Sequence, residues 1–274
     1  MIEIPEAKSI AHQINETFLG KRIMNVVAAK HPHKFAWYHG NPQDYHDLLY
    51  DKTIDKAVSH GGLVEIMVGD ACILLGDGVN VRYYHDDDKL PAKHQLYIEF
   101  DDNSAIIASV QMYGGLWAYV SGQNSNPYYL VAKTKPNPLN ESFNESYFNG
   151  IISKSSQGLS LKAFLATEQR IPGLGNGVLQ DILFNAKLHP KKKLNKLTDS
   201  EIQNLYNSIK STLAEMTFSG GRDTERDLFG CFGGYKSILS KNTVDKPCSV
   251  CGEVLKKEAY MGGRIYFCPK CQEL

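Results

Sequence analysis

The chain has 274 residues, 42% of them apolar, with 30 Lys/Arg balancing 30 Asp/Glu, which is enough for two hydrophobic cores and a smaller module. No apolar run approaches the ~20 residues of a membrane span, and the opening Met1-Ile-Glu-Ile-Pro5-Glu has no leader character, so no membrane contact and a cytoplasmic location are expected. The zero net charge is unevenly laid out: residues 1–131 carry 10 basic and 16 acidic side chains, residues 132–274 carry 20 and 14, and a basic C-terminal half with Lys191-Lys-Lys193 suits a surface that meets phosphates.

Pro5 stands where a helix can start, and Ala7, Ile10, Ala11, Ile14 and Phe18 recur at helical spacing before Gly20 ends the run. Short strand-like runs follow at 22–29, 63–68, 71–75, 79–84, 95–100, 105–110 and 116–120, many bounded by Gly, Asp or Asn, and seven such runs suggest a sandwich or barrel. Lys135-Pro-Asn-Pro-Leu-Asn reads as a linker. Beyond it the period is helical, with segments at 146–152, 160–166 and 178–186. Thr198-Asp-Ser-Glu201 is a capping box, and Ile202, Leu205, Ile209, Leu213 and Met216 form the stripe of a long helix stopped by Gly220-Gly221. Ile171-Pro-Gly-Leu-Gly-Asn176 opens the 178–186 helix, and free backbone N–H groups at such a start offer a seat for phosphate, although most Gly-rich helix starts are only turns.

The C-terminus holds Cys248-Ser-Val-Cys251 and, after 16 residues, Cys268-Pro-Lys-Cys271. Two thiolate pairs at this spacing supply the closed tetrahedral shell of a structural Zn²⁺, with no open position for chemistry. The spacer reads as a hairpin that the ion would hold together; two disulfides are the competing reading in an oxidising compartment. Cys72 and Cys231 are expected as free thiols. The expected architecture is α+β: an N-terminal helix and β-sandwich over residues 1–131, a helical domain over 132–240 and a zinc finger over 241–274.

This order of elements resembles the formamidopyrimidine-DNA glycosylase and endonuclease VIII family. Ile171–Gly177 through Lys187-Leu-His-Pro190 is similar to that family's helix-two-turn-helix, and residues 264–272 to its zinc finger. The resemblance implies a monomer acting on damaged double-stranded DNA, with Glu3 and Glu6 as proton-handling glutamates. It implies that Lys162, 14 residues before Asn176, joins Asn176 and Arg264 on the phosphates, although Arg264 precedes Cys268 by four residues where the family has five. Tyr113, in Gln111-Met112-Tyr113-Gly114, would wedge between bases and Met112 would fill the gap, at a place where the family carries a phosphate-clamping arginine.

In that family the N-terminal proline amine attacks C1′, displaces the base and cleaves the strand through an imine. An α-amine with a pKa near about 8 is partly unprotonated at neutral pH, unlike lysine near about 10.4. Here position 2 is Ile, before which an initiator Met is retained, so the free amine is expected up to roughly 3.5 Å of chain away, and displacements of about 1 Å already cost two orders of magnitude in rate. Gly62 stands where the resemblance places a lysine, with nearby His60 a possible substitute, and Asp77 where it places a void-filling Met; an aspartate there would repel phosphate. Glu3 has a competing role as a carboxylate at a helix N-terminus, and the Gly220–Gly230 segment suits an ordered pocket or a lid equally. Three functions follow for testing: a glycosylase with abasic-lyase chemistry and an altered nucleophile, a binding protein for damaged DNA with little turnover, and a zinc-stabilised interaction module that ignores DNA.

Overall fold

The computed structural model describes residues 1–85 and 88–274. It opens with α1 (Ile4–Phe18), whose Pro5 lies in the first turn. Ala7, Ile10, Ile14 and Phe18 are buried in the core of the β region, while Ile4 belongs to the helical core. One amphipathic helix therefore contributes to both apolar interiors. Burying each of its large apolar side chains contributes about 1.5–3 kcal/mol.

The strands are β1 (Ile23–Ala28), β2 (Ala36–Trp37), β3 (Ile54–His60), β4 (Leu63–Val68), β5 (Ala71–Tyr84), β6 (Leu96–Phe100) and β7 (Ala105–Val120), with the short helix α2 (Tyr45–Leu49) between β2 and β3. They form one sheet in the order β1-β6-β7-β5-β4-β3, antiparallel throughout except that β2 pairs parallel with β7. The four separate strands expected at 71–84 and 105–120 are two long ones. Asp77 and Gly78 bend β5 at a bulge instead of ending it, and the pairing with β7 resumes at Val79↔Val110. The halves on either side of the bulge then serve two layers: β3 and β4 extend one, β6 and β1 the other. Both halves line the same core, as a sandwich requires.

Helix α3 (Pro127–Thr134) leads out of the sheet, followed by α4 (Glu145–Lys154), α5 (Leu161–Ala166), α6 (Val178–Asn185) and α7 (Asp199–Phe218). The Thr198/Glu201 capping box forms as expected, with bonds of 3.2 and 3.0 Å. Leu205, Ile209, Leu213 and Met216 of α7 close the helical core with Leu179, Ile182 and Leu183 of α6. The chain finishes in an antiparallel hairpin, β8 (Lys256–Tyr260) and β9 (Gly263–Phe267). Among the described residues no helix is long and apolar enough to cross a membrane.

A buried polar cluster ties α3 to the sheet. Glu65 of β4 pairs with His60 Nε2 at 2.8 Å, accepts hydrogen bonds from the hydroxyls of Tyr119 (3.2 Å) and Tyr129, and has Lys133 Nζ at 3.5 Å. Tyr129 and Lys133 belong to α3. Burial pushes the Glu65 carboxyl up, but its bonds to His60 and Tyr129 and the Lys133 charge outweigh it and bring the group from the usual 4.5 down to about 2. Its contribution to stability is therefore complete above about pH 4.5 and is lost as pH falls towards about 2. Glu65→Gln is expected to lower the unfolding free energy by about 2–4 kcal/mol at neutral pH. Urea titrations should show the variant and parent converging below about pH 3.

Candidate nucleic-acid interface

Between the sheet and the helical core lies a cleft of about 520 Å³, with Ile2, Glu3, Asp77 and Tyr113 on one wall and Lys162 and Asn176 on the other. The turn of the C-terminal hairpin closes one end through Met261, Gly262 and Gly263.

Its floor is set by a buried ionic knot. Glu3 Oε1 and Oε2 accept the backbone N–H groups of Gly177 and Val178, each at 2.8 Å. The start of α6, a phosphate seat on sequence grounds, thus holds the protein's own carboxylate. Glu6 receives Arg222 Nε and Nη2 at 2.9 and 2.8 Å, plus the Arg222 backbone N–H at 3.1 Å, and Arg222 Nη1 lies 3.7 Å from Glu3. All three side chains are buried. For Glu6, burial acts upward, but the Arg222 charge and hydrogen bonds win and its carboxyl is lowered; for Glu3, burial prevails over Arg222 and its carboxyl is raised. Both glutamates also complete a capping box at the start of α1. Gly177 is required here because a Cβ would lie 1.5 Å from Arg222 Nη1; Gly173, at φ 78°, would put one 2.0 Å from the Gly62 nitrogen.

Lys162, Asn176 and Arg264 converge at the hairpin turn. Lys162 Nζ donates to the Tyr260 carbonyl at 2.5 Å, and burial lowers its pKa. Asn176 Nδ2 donates to the Arg264 carbonyl at 3.0 Å, while its Oδ1 is buried without a hydrogen-bond partner among the described residues. A Cβ on Gly263 would sit 3.3 Å from Lys162 Nζ and 3.8 Å from Asn176 Oδ1, so hairpin, lysine and asparagine share one small region. Arg264 is exposed and has no ion-pair partner among the described residues. Gln180, which the sequence reading passed over, fixes the hairpin on α6 by donating to the Arg264 carbonyl (3.2 Å) and accepting the Tyr266 N–H (3.0 Å).

Tyr113 stands at the cleft rim with its ring 5.8 Å from that of Trp37, beside the exposed Met112. Gly62 fits tightly, since a Cβ would meet the Ile2 carbonyl and Gly173 Cα, both at 3.2 Å. His60 is engaged by Glu65 and does not line the cleft. The 220–230 segment is an ordered loop bound to α1 and β5: Gln13 bridges Asp227 Oδ2 (2.8 Å) and the Leu228 N–H (3.0 Å), and the Tyr83 N–H donates to the Leu228 carbonyl at 2.8 Å. It does not line the cleft. Arg222 is the chief residue that sequence reasoning missed. A cation had to be sought once two glutamates three residues apart were placed at a buried helix start.

The sulfurs of Cys248, Cys251, Cys268 and Cys271 all lie within 4.8 Å of one another, and none of the six cysteines forms a disulfide. Four thiolates about 2.3 Å from a tetrahedral ion stand about 3.8 Å apart, against the observed 3.8 Å for Cys248–Cys271 and 3.4 Å for Cys251–Cys268. The cluster can hold a metal ion.

Comparison with known proteins finds similarity in sequence and in fold. The family model described as the formamidopyrimidine-DNA glycosylase H2TH domain matches residues 135–226. The formamidopyrimidine-DNA glycosylase of Lactococcus lactis subsp. lactis is 27% identical, with all of both chains covered. Among solved structures, Lactococcus lactis Fpg in complex with abasic-site DNA superimposes with a TM-score of 0.85 at 26% identity over 99% of this chain and 100% of that one. The same enzyme with N7-benzyl-Fapy-dG DNA gives the same figures.

Truncating Arg222 would leave two buried carboxylates without their cation. Arg222→Ala is expected to cost about 3–5 kcal/mol at pH 7, with the gap to the parent shrinking as acid neutralises both glutamates. Denaturant unfolding at neutral pH and near about pH 4 measures both effects.

Proposed function

The chain belongs to the formamidopyrimidine-DNA glycosylase family, as a divergent member with Ile at position 2, and from that premise we propose that it is a monomeric cytoplasmic DNA repair glycosylase. It grips damaged duplex DNA, oxidised or abasic, and turns the damaged nucleotide into the cleft beside Glu3. The observation that carries this reading is that Lys162 and Asn176 meet, at one end of that cleft, the turn of the hairpin whose next residue is the exposed Arg264. An exposed guanidinium, a buried amide oxygen without a partner and a lysine held at the turn are groups suited to sugar and phosphate. Glu6, locked by Arg222, serves to hold the chain start in place, and Glu3 faces the cleft. Tyr113 and Met112 are the side chains at hand to occupy the space that the everted nucleotide leaves.

Zinc is the ion we assign to the four cysteines, since an all-thiolate tetrahedral set suits it and leaves no catalytic vacancy. It would fix the hairpin that presents Arg264. A second reading, a damaged-DNA-binding protein with little turnover, draws on the Met1 amine, which is paired with Glu225. Base release from lesion duplexes separates the two.

Two outcomes are expected. Arg264→Ala and Asn176→Ala should each weaken binding to an abasic-site duplex at every flanking sequence, and the slope of log affinity against log salt should shrink by about one for each phosphate that the variant no longer touches; an unchanged slope and affinity would favour a module that ignores DNA. Chelation under denaturing conditions should release one equivalent of zinc per chain, and Cys251→Ser should lose both the zinc and most DNA affinity while the far-UV signal of α1 and α7 persists.

A further inference from the structure

One acidic group on the cleft wall is not used by the clamp. Asp77 sits at the bulge of β5 with φ 58°. Its carbonyl accepts the Ile2 N–H at 3.1 Å, which places it directly against the first residues of the chain. It lines the cavity with Ile2, Glu3, Tyr113 and Tyr128. The other two carboxylates of the cavity are engaged, Glu3 by the start of α6 and Glu168 by Arg170 at 2.5 Å. Asp77 has no hydrogen bond or ion pair to its carboxylate among the described residues, and burial alone pushes its pKa up. Tyr113 and Tyr128 are raised by burial first and by the Asp77 charge next, which puts that charge close to both hydroxyls.

Met1 also lines the cleft, but the amine needed for imine chemistry is engaged by a carboxylate that does not line it. With Met1 attached, the Ile2 nitrogen is an amide whose lone pair is delocalised. The Met1 ammonium pairs with Glu225, beside a separate small hollow formed with Ile2, Glu6, Arg82 and Arg226. The cleft therefore offers an unengaged carboxylate, while the Met1 α-amine at its edge is held by Glu225.

We propose that Asp77 is the general base of a hydrolytic glycosylase, so that the protein releases the damaged base without cutting the strand; this rests on the glycosylase reading above. A solvent water adds through its oxygen to C1′ as the bond from C1′ to the base nitrogen breaks, the electron pair leaving with the base. Asp77 takes the water proton and returns it to the departing base, which leaves neutral. The products are free base and an abasic hemiacetal; nothing is oxidised or reduced, and no protein–DNA bond forms. The Asp77 charge also faces the positive charge that develops across C1′ and the ring oxygen. An aspartate that would only repel a phosphate track has a use against such a centre.

The test uses the full-length protein and duplexes each bearing one oxidised or alkylated base, with free base and strand scission measured separately. Base should appear while scission waits for alkali, and borohydride should trap no adduct. Asp77→Asn, which the left-handed backbone tolerates, should slow release by about 100-fold or more and leave affinity for a tetrahydrofuran abasic analogue within about threefold. The parent rate should rise with pH as Asp77 ionises, and the variant should lose that limb while keeping any due to Glu3, Tyr113 or Tyr128, the titrating groups that face Asp77. A borohydride adduct, scission before alkali, an Asp77→Asn variant as fast as the parent, or tight binding with no base release would each overturn the proposal. Failure of the parent protein to bind the analogue at all would instead overturn the glycosylase reading beneath it.

Discussion

The start of the chain and the start of α6, which form the floor of the cleft, are fixed to each other by one buried set of charges. Glu3 caps α6, Glu6 takes both arms of Arg222, and Arg222 comes from the turn after α7, so three distant parts of the chain meet within hydrogen-bond reach. Removing any member leaves a charge in a low-dielectric interior, which is far costlier than the net value of the intact set. The contact that fixes the first residues is therefore all-or-none, and the peptide of Ile2 stands at the cleft because Glu3 and Glu6 on either side of the helix start cannot move.

The second constraint is the seat of the hairpin. Gln180 and Asn176 of the α6 region bind the β9 backbone, Gln272 donates to the Leu188 carbonyl at 3.0 Å, and Phe267 meets the His189 ring at 4.5 Å. These bonds are made by side chains to main chain, so they hold the hairpin's position without consuming the Arg264 guanidinium. The four cysteines brace the same hairpin from its far end. Arg264 is thus carried on a fixed mount, while Gly177 lets the start of α6 approach Glu3 and Gly173 lets the chain before it approach the β3–β4 turn.

Much of this was legible in the sequence, and the exceptions have physical causes. The four-cysteine spacing, the stripe of α1 and the Thr198/Glu201 box are local signals, and they correspond to the hairpin cluster and to α1 and α7 as observed. Strands β5 and β7 were read as four because Gly76, Asp77 and Gly78 look like a turn, whereas they accommodate a bulge that lets one strand serve two layers. Strand β3 carries little sequence signal because Ile-Asp-Lys-Ala-Val-Ser-His alternates poorly. The start of α6 advertised a free anion seat, and nothing local reveals that Glu3, 174 residues away, fills it. Arg222 was hidden for the same reason, as was the anchoring of α3 through Glu65: both are long-range pairings of charge, which periodicity does not report.

The account is tested most directly by the structure of the protein bound to a duplex with a tetrahydrofuran abasic analogue. It predicts the analogue's sugar in the cleft, flanking phosphates touched by Lys162, Asn176 and Arg264, Asp77 the nearest carboxylate to C1′, and the Met1 ammonium still on Glu225. DNA seated on another face, or the Met1 amine released from Glu225 and directed at C1′, would contradict it.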